Sequence, residues 1–491
     1  MNIKRAKQEI QDSIEAYLQK DEDGAYYIDT IRQRPILLMG PPGIGKTQIM
    51  GQIAKECGVN LVAYTITHHT RQSAIGLPFI KEKSFQEEEH SVTEYTMSEI
   101  IAAVYEKIEL TGIKEGILFI DEINCVSETL APTMLQFLQC KMFGNQSIPE
   151  GWVIVAAGNP PEYNKSVREF DVVTLDRIKK VDVKEDFEVW KEYAYEAGVH
   201  PAVIAYLEIK KENFYRMENT VDGKMFATAR GWEDLSEIIK AYDRLGKTID
   251  RNVVFQYIQY WKISKDFANY LELYKRYEED YQVANILKGE YTDTMLERLK
   301  YAAFDEKLSV ISLLMSKLGE GFQQYKDLDE FVTLLHRNLG LLGENQSFET
   351  TIVTLREEYE SKKSGEQLSK KEDKLYQNVL HTLELYKQRV QEERIHENEM
   401  FDHVRSWFAK EVEKRENLIE KIQKQLTCAF EFMEDAFGSS QEMTIFVTEL
   451  NTNYYSVKFI NENGCDKYYQ YNKGLLFDER EAQIMSKLNR L

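Results

Sequence analysis

The sequence predicts an α/β fold at its start: a parallel sheet flanked by helices, then a helical lid. A mainly helical C-terminal region follows and ends in a small α+β unit. Three observations predict this. Short continuous apolar runs alternate with helical periodicity in the first part of the chain. A loop of the form G-x-x-x-x-G-K-T, Gly40 to Thr47, joins the first run to a helical segment. Apolar residues then recur at helical spacing through the second half.

Ile36 to Met39 is the first apolar run, bounded by Pro35 and Gly40, and helical spacing follows over Thr47 to Glu56. Leu61 to Ile66 is rich in β-formers. Gly116 to Ile120 and Val153 to Ala157 are further apolar runs, the former ending in two acids and the latter in GNPP. Runs of this kind between helices are the mark of strands buried on both faces of a parallel sheet. Phe79 to Thr96 predicts a polar hairpin, and Lys141 to Trp152 a second turn-rich excursion. Exposed loops on a rigid scaffold are common places for partner contact.

From Phe187 to Lys262 the pattern is helical with little strand signal, and helices continue over Ser264 to Arg356. Glu357 to Asp373 reads as an exposed helix or linker. Val379, Leu383, Tyr386 and Val390, then Phe401, Val404, Phe408, Val412, Ile419, Ile422, Leu426 and Phe430, keep helical spacing. They predict a long helical hairpin or coiled-coil arm, or helices packed within a bundle. MTIFVTEL and YYSVKFI alternate apolar and polar residues around Asn451 to Asn453, which predicts a hairpin. KYYQYNKGLLF reads as a third strand, and a terminal helix follows.

The chain has 491 residues, 62 Lys plus Arg and 82 Asp plus Glu, for a net charge of −20. Hydrophobic residues make up 43% and charged residues 29%, which excludes a largely disordered or fibrous chain. The acidic balance argues against broad nucleic-acid backbone binding. No stretch approaches the roughly 20 uninterrupted apolar residues of a membrane span. The charged N-terminus does not read as a signal peptide. Cys57, Cys125, Cys140, Cys428 and Cys465 are scattered without a CxxC pair, which fits a reduced, cytoplasmic compartment and argues against a zinc framework.

The strongest chemical signal is Gly40, Pro41, Pro42, Gly43, Ile44, Gly45, Lys46 and Thr47. Strand before and helix after is the context a P-loop needs. Its glycines let backbone N–H groups face phosphate oxygens, and the helix N-terminus favours the anion. Lys46 sets a cation against the β- and γ-phosphates of ATP, and the Thr47 hydroxyl suits Mg²⁺. Asp121 and Glu122 leave the carboxyl end of a buried strand, the ligand edge of an open α/β sheet. Asp121 is placed to hold Mg²⁺, directly or through water, and Glu122 to polarise the attacking water. Asn159, at the next strand end, is placed to orient that water or touch the γ-phosphate. Arg177, in TLDRIKKVDV, and Arg230, in ATARGWEDLSEII, are guanidiniums that stabilise charge on a transferring phosphoryl group or make surface ion pairs.

These residues together resemble the AAA+ ATPases, and more closely their MoxR branch. RPILLMGPPGIGKT, RQSAIGLPF, LFIDEIN, the IPEGW to VAAGNPPEY stretch, LDRI and TARGWEDLS carry the resemblance, over roughly residues 30 to 260. It implies a ring, usually hexameric, with ATP bound between subunits. Asn159 then resembles the sensor-1 residue, Arg177 the trans arginine finger and Arg230 the sensor-2 arginine. Arg71 and Arg168 are rival arginines. Phe79 to Thr96 lies where this branch carries its helix-2 insert, and Lys141 to Trp152 resembles the hairpin before sensor 1. The sequence departs at Cys125, where family members commonly have Arg or Lys. The division implied is 1–184 nucleotide-binding domain, 185–262 lid, 263–356 helical domain, 357–438 long hairpin or arm and 439–491 end unit.

Members of this branch act as chaperones on protein complexes with a von Willebrand A-domain partner, and that is the leading expectation here. A nucleic-acid-directed or restriction-type motor, and a nucleotide-gated scaffold with little turnover, are the alternatives. The intact Glu122 speaks against the scaffold. His68-His69 has no acid or cysteine cluster beside it and reads as a loop-edge pair. Tyr454, Tyr455, Tyr468, Tyr469 and Tyr471 read as a packing surface before a base-stacking one.

Overall fold

The computed structural model describes residues 1–473 except 69–70, 86–87, 144–145, 164–169, 221–222, 344–346 and 366–367. The chain divides into two compact units. One comprises Met1–Val189 and Glu360–Leu368, the other Trp190–Tyr359 and Ser369–Leu491.

The first unit runs α1 (Ile3–Leu18), β1 (Ile36–Met39), α2 (Lys46–Cys57), β2 (Asn60–Thr65), α3 (Arg71–Ile75), β3 (Pro78–Phe85), β4 (Glu88–Tyr95), α4 (Glu99–Thr111) and β5 (Gly116–Asp121). Then come α5 (Ala131–Cys140), β6 (Met142–Phe143), β7 (Gln146–Ser147), β8 (Trp152–Gly158), α6 (Val172–Leu175) and β9 (Lys179–Asp182). Five strands form one sheet in the order β2-β5-β8-β1-β9. Every neighbouring pair is parallel, with Thr65 opposite Asp121 and Met39 opposite both Gly158 and Asp182. Alternation along the strands builds two cores. Leu37, Leu118, Ile120, Ile154 and Ala156 pack with residues of α4 and α5. Ile36, Leu38, Ile117, Phe119, Val153 and Val155 pack with residues of α1 and α2. Burial on both faces is why these strands read as unbroken apolar runs. The polar excursions are antiparallel hairpins, β3 with β4 and β6 with β7.

Lys141, just after α5, is a buried lysine in the left-handed region, at φ 54°. Its ammonium donates to Gln33 Oε1 at 3.0 Å and to the Trp152 carbonyl at 3.4 Å. Burial pushes its pKa down to about 8 from the ordinary 10.5. Between those values the unfolded chain keeps a proton that the folded chain has released, so stability rises with pH through that window. From about pH 7.5 to about pH 9.5 the gain is about 2 kcal/mol, and Lys141→Met should abolish it. Urea midpoints of both proteins at the two pH values check this. Parallel pH responses would sink the assignment.

The second unit begins within α7 (Phe187–Ala197) and continues with α8 (Pro201–Ile209), β10 (Arg216–Thr220), β11 (Gly223–Ala227), α9 (Ala229–Leu245), α10 (Arg251–Tyr257) and α11 (Trp261–Tyr281). The antiparallel β10–β11 pair adds two strands to a stretch read as helical with little strand signal. Most of its side chains are exposed, so no alternating apolar pattern marks it. Next come α12 (Val283–Ile286), α13 (Asp293–Tyr301), α14 (Phe304–Gly343), α15 (Phe348–Ser364), α16 (Lys370–Glu392), α17 (Glu397–Phe437), α18 (Gln441–Thr452) and α19 (Tyr454–Asn463). α14 packs against α16, α17, α18 and α19, so the long helices form a bundle around it. No described helix is long and apolar enough to cross a membrane.

The expected hairpin at the chain's end is a correction. Residues 441–463 form two helices, and 466–473 are helical too. Met443, Phe446, Val447 and Leu450 are buried at helical spacing, and the alternation in MTIFVTEL is incidental to it. Asn453, read as a turn residue, caps α19 by accepting from the backbone N–H groups of Tyr455 and Ser456. Glu449 of α18 accepts from buried Lys191 of α7 at 2.7 Å, which also reaches Glu208 of α8 at 2.8 Å. Tyr455 and Tyr468 are buried and Tyr471 donates to Glu434, which fits packing, whereas Tyr454 and Tyr469 are exposed. The predicted terminal helix, and the end of the predicted third strand, lie outside the described residues.

Candidate functional site

The carboxyl edge of the parallel sheet gathers the chemistry. β1 ends at Met39, and the loop turns at once because Gly40 lies against the Val183 carbonyl. A Cβ there would sit 2.7 Å from that oxygen. Gly43 and Gly45 hold left-handed backbone at φ 76° and 90°. Ile44 packs against the core below, fixing the loop. Lys46 then opens α2 and is 92% buried. Its ammonium donates to the carbonyls of Gly40 and Pro41, each at 2.8 Å, and to Asn159 Oδ1 at 2.9 Å.

β5 delivers the two acids beside this loop. The Thr47 hydroxyl donates to Asp121 Oδ2 at 2.8 Å. A hydroxyl and a carboxylate so close are hard oxygen donors, the set that suits Mg²⁺. Glu122 stands in the left-handed region, with φ 58° and ψ 33°. A non-glycine residue in that region is uncommon, and such backbones concentrate at functional sites. Its own N–H donates to Asp121 Oδ1 at 2.9 Å. Its Oε2 accepts from the Thr67 hydroxyl at 2.9 Å.

Lys46 with Asn159, and Thr47 with Asp121 and Glu122, thus form two hydrogen-bonded sets joined through the chain at Lys46-Thr47 on one sheet edge. Thr67 and Asn124 belong with them, and neither was assigned from the sequence. Strand adjacency could have found Thr67, which lies two residues beyond the end of β2, next to β5. Asn124 donates its amide to the Asn159 carbonyl at 2.8 Å.

The arginines stand elsewhere. Arg177 follows α6 and precedes β9, whose first residue lies opposite Ile36. It therefore sits at the amino edge of the sheet, away from the P-loop. Roughly 10 Å of strand separates the two edges. Its guanidinium is exposed and donates to Gln139 Oε1 of α5 at 2.5 Å. Asp171 caps α6 through the Thr174 N–H, and hydrogen bonds from Thr174 hold its carboxyl below the usual carboxylate range. Val172 and Val173 beside it are 80% and 59% exposed. Arg230 is exposed in the first turn of α9, capped by Thr228, in the second unit. The side chains of Arg71 and His68, and residues His69 and Arg168, lie outside the description.

One family model spans the strands and loops that build this site. Residues 36–175 match the family model "ATPase family associated with various cellular activities (AAA)". A 55-residue stretch is 46% identical to the ATP-dependent zinc metalloprotease FtsH of Hahella chejuensis. That match covers 11% of this chain and 9% of that protein. Among solved structures, the Thermotoga maritima RuvB Holliday junction branch migration motor aligns over 53% of this chain and 69% of its own, with 15% identity and TM-score 0.27. PCH-2 of C. elegans aligns over 43% of this chain and 48% of its own, with 13% identity and TM-score 0.24. Residues 36–175 therefore carry an AAA ATPase family domain.

Proposed function

We propose that this protein hydrolyses ATP in a ring, usually hexameric, and uses the cycle to remodel or activate a protein complex, as a MoxR-like AAA+ ATPase. The observation that carries the proposal is the joining of Lys46, Thr47, Asp121, Glu122 and Asn159 at one sheet edge. The loop N–H groups and Lys46 bind the phosphates. Mg²⁺ held by Thr47 and Asp121 would neutralise phosphate charge. Glu122 accepts a proton from the attacking water, and Asn159 orients that water. Arg177 of one subunit serves the nucleotide of its neighbour, and Arg230 acts from the lid, residues 185–262. The partner-specific part of the function lies in residues 263–491, and the β3–β4 hairpin serves the ring pore or a partner such as a von Willebrand A-domain protein in the cytoplasm.

Steady-state phosphate release with Mg-ATP tests the enzyme. The wild type should turn over at the order of 1 s⁻¹ or faster, and Lys46→Ala should lose both binding and turnover. Equal rates in the two proteins would sink the proposal.

A further inference from the structure

Asn124 is 98% buried in the short turn after Glu122, and its amide is only half satisfied. Nδ2 donates to the Asn159 carbonyl at 2.8 Å, while Oδ1 is buried with no hydrogen-bond partner among the described residues. Turning the amide over would set two carbonyl-type oxygens against each other, so the orphan follows from the job Nδ2 does. An unpartnered buried oxygen costs stability, and an apolar side chain of the same size avoids that cost. The bond to the Asn159 carbonyl and the orphan oxygen offset one another, so the net contribution of this asparagine to folding is small.

The surroundings show what the amide holds. Gly158 lies flat against it: a Cβ on Gly158 would sit 2.6 Å from Asn124 Oδ1 and 2.8 Å from its Cγ. The Gly158 carbonyl accepts from the Gly40 N–H at 3.3 Å, which ties the same peptide to the start of the P-loop. Asn159 Oδ1 accepts from Lys46 Nζ. The segment 158–159 is thus gripped by the P-loop on one side and by the acidic turn on the other. Asn124 is two residues from Glu122, and the Cys125 N–H donates to the Glu122 carbonyl at 2.8 Å, so the turn moves as one piece.

We propose that Asn124 is a positioning residue that clamps the Asn159 carbonyl and so sets Asn159 and Glu122 in register for hydrolysis. The inference rests on the ATPase reading above. Asn124 touches neither water nor phosphate in this role and acts through its neighbours. Small displacements of reacting groups cost far more in rate than in binding.

The test is kinetic, on the full chain. Asn124→Leu keeps the volume and removes both the clamp and the orphan. Its thermal midpoint should stay close to that of the wild type, because the orphan oxygen is removed while the Asn159 carbonyl loses its donor. Its kcat should fall about 10- to 100-fold while the Kd for a fluorescent ATP analogue stays within about threefold. Gly158→Ala, which pushes the same amide aside, should lower kcat in the same way and serves if the leucine variant does not fold. Turnover in a folded Asn124→Leu protein equal to wild type would overturn the inference alone. So would a loss of binding as large as the loss of kcat. A wild type that releases no phosphate would overturn the ATPase reading, and this inference with it.

Discussion

Replacing Glu122 by glutamine is expected to lower kcat for ATP hydrolysis by about 10²- to 10⁴-fold, the usual worth of a positioned general base. ATP binding should stay within about threefold of wild type, because the groups that face phosphate are untouched. The reasoning is geometric. Glu122 is set by its left-handed backbone, by the N–H it gives to Asp121 and by the hydroxyl it receives from Thr67. Glutamine keeps the size and can still accept from Thr67, but its amide cannot take a proton. Thr67→Val removes one orienting bond and leaves the base, so its loss should be smaller, about tenfold or less. Single-turnover phosphate release beside equilibrium nucleotide titration separates the two steps. Glu122→Gln turnover within threefold of wild type would remove Glu122 from the mechanism. The stalled variant also captures partners in Mg-ATP. A von Willebrand A-domain protein recovered with it supports the client reading. Nucleic acid that is lost on adding salt supports the motor reading instead.

The nucleotide half of this protein was legible because its signals are local. A buried strand announces itself by an unbroken apolar run, and Gly40 to Thr47 and Asp121-Glu122 are contiguous in sequence. What was missed depends on contacts across the fold. Thr67 meets Glu122 only because β2 and β5 are neighbours in the sheet, and Asn124 meets Asn159 only because β5 and β8 are. The β10–β11 pair was missed because its exposed side chains carry no apolar alternation. The end helices were read as strands because Met443, Ile445 and Val447 alternate over a short run, while Met443, Phe446, Val447 and Leu450 fit the helical period that the fold uses. Asn453 decides between them as a helix cap, and a cap residue is also a good turn residue.

Arg177→Ala is expected to abolish turnover by about 10³-fold or more while sparing ATP binding, the signature of a finger that acts on the transition state. Position in the sheet gives the reason to place that action in trans. Arg177 enters β9 at the amino edge, whereas the P-loop leaves β1 at the carboxyl edge of the same parallel sheet. Val172 and Val173 beside it are exposed. In a ring, one chain can supply the arginine and the next the nucleotide site. Mixing Arg177→Ala with Lys46→Ala protein should therefore restore activity that neither has alone. Some interfaces would then pair an intact Lys46 site with an intact Arg177. Activity should peak at an intermediate mixing ratio. Mixed rings that stay inactive at every ratio would remove the trans role. Arg177→Ala protein with full turnover would remove Arg177 from catalysis and return the surface reading, in which it bonds Gln139 and pairs electrostatically with Asp171.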